Sequence, residues 1–392
     1  MYRIFMQLIT DSDILSEFCK KVVSSSDFIT VDTEFVREST YWSQLCLIQI
    51  AGENNVAAID ALADEIDLSS LFDLLRDQKL TKVFHAARQD LEIFYQLMNE
   101  LPNPIADTQI AAMVCGFGDS VGYETLVNKL AKKTIDKSMR FTDWRRRPLS
   151  DKQLLYAVSD VTHLRLVYEK LREILNKNGR EHWISEEMAR LSNPSTYILD
   201  PKEAWKRLKV KSHRPRFLLL LQEIAAWRET EAQKRNIPRN QVLRDEAILE
   251  IAAQEPRDIK SLGIMRSMKR GLPKGEALSG LLCAIKSGSE MEEAKAPSVP
   301  SRSKKAQDME GTRELIKVLL KYCSEKHGIA QRLIITTNEL EELISKIDLK
   351  APVFNGWRNE IFGKHALKLL NGKLAISSNG PKIKLVELGP EI

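Results

Sequence analysis

Short apolar runs alternate with amphipathic stretches from residue 1 to about residue 110 of the chain. Five runs are rich in β-branched and aromatic residues and are bounded by polar ones, which is typical of strands. They read YRIFMQLI, FITVDTEFV, LCLIQIA, VAAID and TKVFHA. Between them, apolar residues recur at helical spacing, as in DILSEFCKKV and LSSLFDLLRD. Strands that alternate with helices predict an α/β domain in which helices cover a sheet.

Helical spacing dominates residues 108–175, and the pattern there predicts nearly continuous helix. One helix start is marked by Ser150, which is followed three residues later by Gln153. This pair predicts a capping box, and Pro148 just before it discourages an earlier start.

The rest of the chain predicts helices only, grouped in two regions. Its length of 392 residues exceeds what one hydrophobic core usually organises. Prolines and basic residues mark a connection near residue 194, and a Pro/Ser/Lys-rich segment resembles a flexible linker. We therefore expect an α/β domain (1–195), a connection (196–213), a helical domain (214–286), a linker (287–309) and a second helical domain (310–392).

Composition and charge narrow the class of protein only moderately. The net charge of +5 and the pI near 8.8 permit a polyanionic partner. The five cysteines are scattered and odd in number, which argues against a disulfide framework. The chain contains no signal-peptide pattern and no run of roughly 20 apolar residues that could span a bilayer. We expect a cytoplasmic protein without a membrane segment.

Two acids interrupt a strand that otherwise resembles a buried one. Alternate side chains of a strand share a face, so Asp32 and Glu34 are neighbours on one face. A solvated strand face is the simplest explanation of such a pair. If the face is buried instead, the two charges repel unless a cation lies between them.

Further acids could converge on the same place. Asp90 lies near the start of the helix that follows the strand TKVFHA, where a helix N-terminus alone could explain it. Tyr156 and Asp160 are four residues apart and therefore lie on one face of a largely apolar helix. Together the four carboxylates would offer the hard oxygen ligands that Mg²⁺ and Mn²⁺ prefer.

Several motifs resemble the DEDD superfamily of 3′–5′ exonucleases, in the subclass with a tyrosine four residues before the last aspartate. The motifs are VDTEFVREST, FHAARQDLEIF and YAVSD, supported by DTQIAA and TDWRRRPLS. Within that superfamily the sequence is most similar to the bacterial ribonuclease D family. LLLLQEIAAWRETEAQKRNIP resembles an HRDC domain, and the last helical region resembles one more faintly.

This resemblance implies a ribonuclease H-like, mixed-sheet exonuclease domain followed by two small all-α HRDC-type domains. It also implies a hydrolase that releases nucleoside 5′-monophosphates from the 3′ end of RNA. The expected substrates are tRNA precursors, and we expect the enzyme to be a monomer. The implied cofactors are two divalent ions, Mg²⁺ or Mn²⁺, since two ions can stabilise both the attacking and the leaving oxygen. The implied metal ligands are Asp32, Glu34, Asp90 and Asp160, and Tyr156 is expected to position the attacking water.

A basic loop just before the Tyr156 helix is the best candidate for contacts with RNA, since cations and aromatic rings hold single strands. Its candidate residues are Arg140, Trp144, Arg145, Arg146 and Arg147. A solvated charged surface is the alternative explanation of this loop. Phe35 should point into the core, and His85 is expected to be a hydrogen-bonded partner and not a ligand. Either His163 or Arg165, which follow Asp160, could be structural.

Other functions stay open at this point. The chain could be an exonuclease that acts on DNA, because no motif obviously recognises a 2′-hydroxyl. A non-catalytic RNA-binding protein is a second alternative, although buried unpaired acids would only destabilise such a scaffold. A polymerase proofreading domain would have the same fold, but no polymerase segment follows.

Overall fold

The structure is a computed structural model that describes residues 6–210, 212–269, 271–298 and 309–389. A six-stranded mixed sheet forms the centre of the N-terminal domain, with strand order β1-β4-β3-β2-β5-β6. β3 is antiparallel to both of its neighbours, and the other adjacent pairs are parallel. The strands are β1 (Met6–Ile9), β2 (Phe28–Val36), β3 (Gln44–Ala51), β4 (Val56–Asp60), β5 (Thr81–Phe84) and β6 (Ile105–Asp107).

Helices cover both faces of this sheet. One face packs against α1, α2 and α3 in a core that includes Ile29 and Val31 of β2. The other face packs against the long helix α6, whose Ala157 and Val161 are fully buried. The helices of this domain are α1 (Ser12–Ser25), α2 (Ser69–Arg76), α3 (Arg88–Met98), α4 (Thr108–Val114), α5 (Tyr123–Leu126), α6 (Asp151–Asn178) and α7 (Glu181–Leu191).

The predicted α/β organisation is confirmed, with two local differences. β6 was not predicted, because its three residues are too few to show a period. The prediction of nearly continuous helix over 108–175 is wrong for residues 115–122 and for residues 132–150, both of which form turns, bends and irregular chain. The second segment carries several exposed charges. The capping box of Ser150 and Gln153 is confirmed at the start of α6.

A second group of helices follows residue 213. Its core surrounds α8, whose Leu220, Leu221 and Ile224 are fully buried. The helices are α8 (Pro215–Arg235), α9 (Arg239–Val242), α10 (Asp245–Gln254), α11 (Ile259–Gly263) and α12 (Glu276–Glu290). α12 extends a few residues into the segment expected to be a linker, and residues 299–308 of that segment lie outside the described residues.

The last region contains α13 (Glu310–His327), α14 (Gln331–Ile334), α15 (Thr337–Ser345), α16 (Gly356–Arg358) and α17 (Lys364–Leu370). A two-stranded antiparallel hairpin of β7 (Leu374–Asn379) and β8 (Lys382–Glu387) follows, and the sequence had not indicated it. Its strands are largely exposed, so they lack the buried apolar positions that mark a strand in a sequence.

Both helical regions contact the N-terminal domain. The Tyr41 hydroxyl, in the loop after β2, donates to the buried Glu229 carboxylate of α8. Arg358 of the last region is 2% exposed and donates to Glu186 and Glu187 of α7. None of the described helices has the length and apolar character needed to cross a membrane.

Candidate active site

β2 carries the first two acids at a place where the strand has a free edge. β3 pairs with β2 as far as Val36, but β5 pairs only with residues 28–30. Beyond Thr30 the second edge of β2 is therefore open to groups outside the sheet. Asp32 and Glu34 are half-buried there, and a bulge follows Glu34. Phe35 packs against the opposite core, as expected from strand alternation.

α3 brings Asp90 to this open edge. Asp90 lies in the first turn of α3, is 8% exposed, and accepts a hydrogen bond of 2.5 Å from the Thr33 hydroxyl of β2. The turn before α3 is held by the Asp107 carboxylate, which accepts from the amides of Ala86 and Ala87 at 3.1 and 2.8 Å. The carboxylate of Asp90 is thus fixed beside the strand that carries Asp32.

α6 brings Tyr156 and Asp160 to the other side of the acids. The helix is tied to β2 by the Thr30 hydroxyl, which donates to the Val161 carbonyl at 2.8 Å. The Asp160 carbonyl accepts from the Tyr123 hydroxyl of α5. Arg165 is a structural residue, because it donates to the Phe28 carbonyl at 2.9 Å and lies 4.0 Å above the Phe28 ring centroid.

A cleft of about 350 Å³ opens between these elements. Asp32, Tyr156 and Asp160 line it directly. Glu34 and Asp90 do not line it, but both lie within electrostatic reach of the acids that do. The structure therefore brings together all five residues that the sequence had singled out.

Burial raises the pKa of all four acids, because the surrounding protein disfavours a charged carboxylate. The pKa rises to about 8 for Asp32 and Asp90, to about 9 for Glu34 and to about 7 for Asp160. Repulsion among the acids adds to this rise at Asp32, Glu34 and Asp90. Burial, followed by the charge of Asp160, also raises the pKa of the Tyr156 phenol, so this phenol keeps its proton at neutral pH.

The residues fit a divalent cation by their chemistry. Within the described part of the chain, no three His, Cys, Asp or Glu side chains already stand at ligand geometry. The Asp160 Oδ1 atom is nevertheless buried and, among the described residues, has no hydrogen-bond partner. Unpaired buried carboxylate oxygens are costly, and hard cations bind such oxygens. Asp32, Glu34, Asp90 and Asp160 are the residues that would hold a metal here.

The basic loop divides into different environments. Arg140 lines the cleft, and Arg145 and Arg146 are exposed, although Arg145 pairs with Asp143 at 2.9 Å. Trp144 is 3% exposed, and Arg147 makes a bidentate ion pair of 2.6 and 2.5 Å with Asp60. These positions favour a structural role for Trp144 and Arg147.

Several cleft residues were not assigned to the site from the sequence, among them His85, Tyr123 and Lys137. His85 directly follows β5, and the motif FHAARQD that contains it was its signal in the sequence. Tyr123 and Lys137 come from segments without a recognisable motif, so only the fold places them in the cleft.

The mixed sheet and its convergent acids define a class of protein, the 3′–5′ exonucleases. Residues 6–176 match the family model described as a 3′–5′ exonuclease, and residues 217–272 match the HRDC domain model. Divalent-metal dependence is a property of this class.

The full length of the chain then identifies the family. The ribonuclease D of a Jannaschia species is 45% identical over 384 residues, covering 97% of this chain and 99% of that protein. The ribonuclease D of Granulibacter bethesdensis is 46% identical over 383 residues, with 97% of each chain covered. The crystal structure of Escherichia coli RNase D, described as an exoribonuclease involved in structured RNA processing, matches with a TM-score of 0.78 at 31% identity, covering 94% of this chain and 99% of that one. The chain belongs to the ribonuclease D family and is a 3′–5′ exoribonuclease.

Proposed function

We propose that this exoribonuclease cleaves the terminal phosphodiester bond with two divalent cations, Mg²⁺ or Mn²⁺, held by Asp32, Glu34, Asp90 and Asp160. The observation that carries the proposal is the convergence of four carboxyl groups with raised pKa values around one cleft. Two such ions, when bound, stabilise the attacking and leaving oxygens of an in-line displacement.

Tyr156 supports the proposal as a residue that positions water. Its raised phenol pKa keeps the proton in place, so we propose that the hydroxyl orients the attacking water and does not remove its proton. The charge of Asp32 acts on Glu34 and Asp90, and the charge of Asp160 acts on Asp32, so we propose Asp32 as the ligand that both ions would share.

We propose that the substrate is an RNA with a single-stranded 3′ end, as in tRNA precursors, and that the enzyme acts as a cytoplasmic monomer. The Escherichia coli relative processes structured RNA, in keeping with this substrate. The Arg140 side chain in the cleft and the exposed Arg145 and Arg146 beside it suit phosphates. Phe141 is 90% exposed and offers a stacking surface for a base.

The test compares the wild type with Asp32→Asn on 5′-labelled RNA that carries a single-stranded 3′ tail. We expect stepwise shortening by the wild type with Mg²⁺ or Mn²⁺, none with chelator, and a loss of at least about 100-fold in the variant, which is the scale of losing a main electrostatic stabiliser. Glu290→Gln, an exposed acid on α12, is the matched control. Shortening by Asp32→Asn at the wild-type rate would contradict the assignment.

A matched DNA strand in the same assay tests the alternative substrate. Faster digestion of DNA than of RNA would replace the RNA assignment.

A further inference from the structure

His85 lies in the cleft, but the proposed two-metal mechanism assigns it no role. It follows β5 directly and lines the cleft together with Asp32, Tyr156 and Asp160. Its ring contacts Tyr123 at 5.3 Å between ring centroids. The side chain is half-buried, so its ring reaches the cleft without being covered.

One hydrogen bond fixes which nitrogen of His85 carries the proton. The Nδ1 atom lies 3.0 Å from the Thr108 hydroxyl oxygen. Thr108 is fully buried, and its hydroxyl donates to the Phe84 carbonyl at 3.1 Å. A hydroxyl has one proton, and the carbonyl already accepts it. Nδ1 must therefore donate to Thr108, which leaves Nε2 as an acceptor.

The His85 ring is neutral while its Nδ1 atom donates to Thr108. Burial lowers the pKa of His85, and the Asp107 charge only partly opposes that shift. The Nε2 atom has no hydrogen-bond partner among the described residues, so its lone pair is free for a ligand that donates.

The chemistry of RNA limits what that ligand group can be. Phosphate oxygens accept hydrogen bonds and cannot satisfy an acceptor nitrogen. Donors on the bases differ from one base to the next, which does not suit an enzyme that removes successive nucleotides. The sugar hydroxyls donate in every nucleotide, and the 2′-hydroxyl is the one that distinguishes RNA from DNA.

We propose that His85 Nε2 accepts a hydrogen bond from the 2′-hydroxyl of the 3′-terminal nucleotide and thereby selects RNA over DNA. The cleft volume of about 350 Å³ falls in the range of small-ligand sites, which suits one nucleotide. Thr108 is the positioning residue that fixes the tautomer. This inference rests on the exoribonuclease activity and deepens it, since it names the group that is recognised.

The test is a cycle of one protein change and one substrate change. Single-turnover rates are measured for an RNA and for the same RNA with one 2′-deoxy sugar at its 3′ end. In the wild type we expect the deoxy sugar to slow cleavage by about 3- to 10-fold, the usual worth of one net hydrogen bond. In His85→Ala both substrates should react at one rate. His85→Gln, which restores an acceptor, should recover part of the difference, and the surface variant His182→Ala should keep all of it.

A second arm separates this inference from the metal mechanism. The affinities of the two RNAs are measured with chelator present, by fluorescence polarisation, for wild type and His85→Ala. The wild type should bind the all-ribose RNA about 3- to 10-fold more tightly than the RNA with the 2′-deoxy end. This difference in affinity should vanish in His85→Ala. If the 2′-deoxy end weakens binding as much in His85→Ala as in the wild type, the proposal is overturned. It is also overturned if His85→Ala instead abolishes the effect of a 3′-deoxy end, because His85 would then contact the 3′-hydroxyl. Thermal melting of each variant checks that it is folded.

Discussion

Glu34 shows how an acid of the site affects the stability of the metal-free protein. Its pKa is raised to about 9 by burial and then by the charges of Asp32, Asp160 and Asp90. An unfolded glutamate has a pKa of about 4.3, so between roughly pH 4.3 and 9 the folded chain holds a proton that the unfolded chain has lost. The stability that Glu34 contributes therefore falls as pH rises through this window.

Glu34→Gln should accordingly stabilise the metal-free protein, because the amide cannot ionise. We expect the thermal midpoint in chelator to rise by about 2–4 °C at pH 8.5, which is roughly 1 kcal/mol in a domain of this size, and by less at pH 5. Differential scanning calorimetry at both pH values measures the effect, with exposed Glu290→Gln as the control. An equal gain at both pH values would show that charge is not the cause.

At the scale of elements, the loop after β2 is joined to α8 by buried polar contacts. Glu229 of α8 is fully buried and accepts hydrogen bonds from the Tyr41 hydroxyl and from Arg239 at 2.5 and 2.6 Å. Burial alone would raise the pKa of Glu229, but these hydrogen bonds lower it overall. The Asn236 side chain also accepts from the amides of Tyr41 and Trp42 at 3.1 and 3.0 Å. The strand that carries Asp32 and its neighbours is thus linked to the HRDC region.

Tyr41→Phe should weaken this link, because it removes one donor from a buried carboxylate. We expect a loss of about 1–3 kcal/mol in the free energy of unfolding, measured by denaturant titration. Tyr95→Phe is the matched control, since within the described residues the Tyr95 hydroxyl has no hydrogen bond. Limited proteolysis at the connection near residue 194 should also be faster in Tyr41→Phe only. Equal stability of the two variants would argue against a role of the Tyr41 hydroxyl in docking.

The elements differ in how far their sequence predicts them. β2 and α6 could be predicted because each combines a long periodic pattern of apolar residues with a motif. Their prediction also located Asp32 and Asp160. The burial of Trp144 and the pairing of Arg147 with Asp60 were not, because both depend on contacts with distant strands. The sequence pattern of a run of arginines is the same whether the arginines bind phosphate or stabilise a loop.

At the scale of the whole molecule, the last helical region shares a core with the exonuclease domain. Ala112 and Val114 of α4 are packed in one hydrophobic cluster with Leu319 of α13 and Phe362. Trp183 of α7 stacks on Trp357 with ring centroids 4.7 Å apart and an interplanar angle of 11°. Since apolar area is shared across this boundary, we expect the two parts to unfold together.

A substitution of Arg358 can test this cooperative unfolding, because Arg358 is a buried charge between the last region and the exonuclease domain. It donates to Glu186 and Glu187 of α7 and, through Nε, to the Leu333 carbonyl at 2.9 Å. Arg358→Met removes an ion-pair partner from both carboxylates, although Glu187 keeps a second ion pair with Arg190 at 3.5 Å. The change should cost about 3 kcal/mol, the low end for breaking a buried pair. The control Lys170→Met removes a surface ion pair with Glu173 and should cost at most about 1 kcal/mol.

The form of the transition decides whether the shared core couples the two parts. With coupling, calorimetry of Arg358→Met should show one transition shifted as a unit, and exonuclease activity should disappear at the same temperature. A separate early transition that leaves activity intact would mean that the last region unfolds independently. In that case the contacts of α7 with Trp357 and Arg358 would only hold the last region in place, without stabilising the domain that carries the acids.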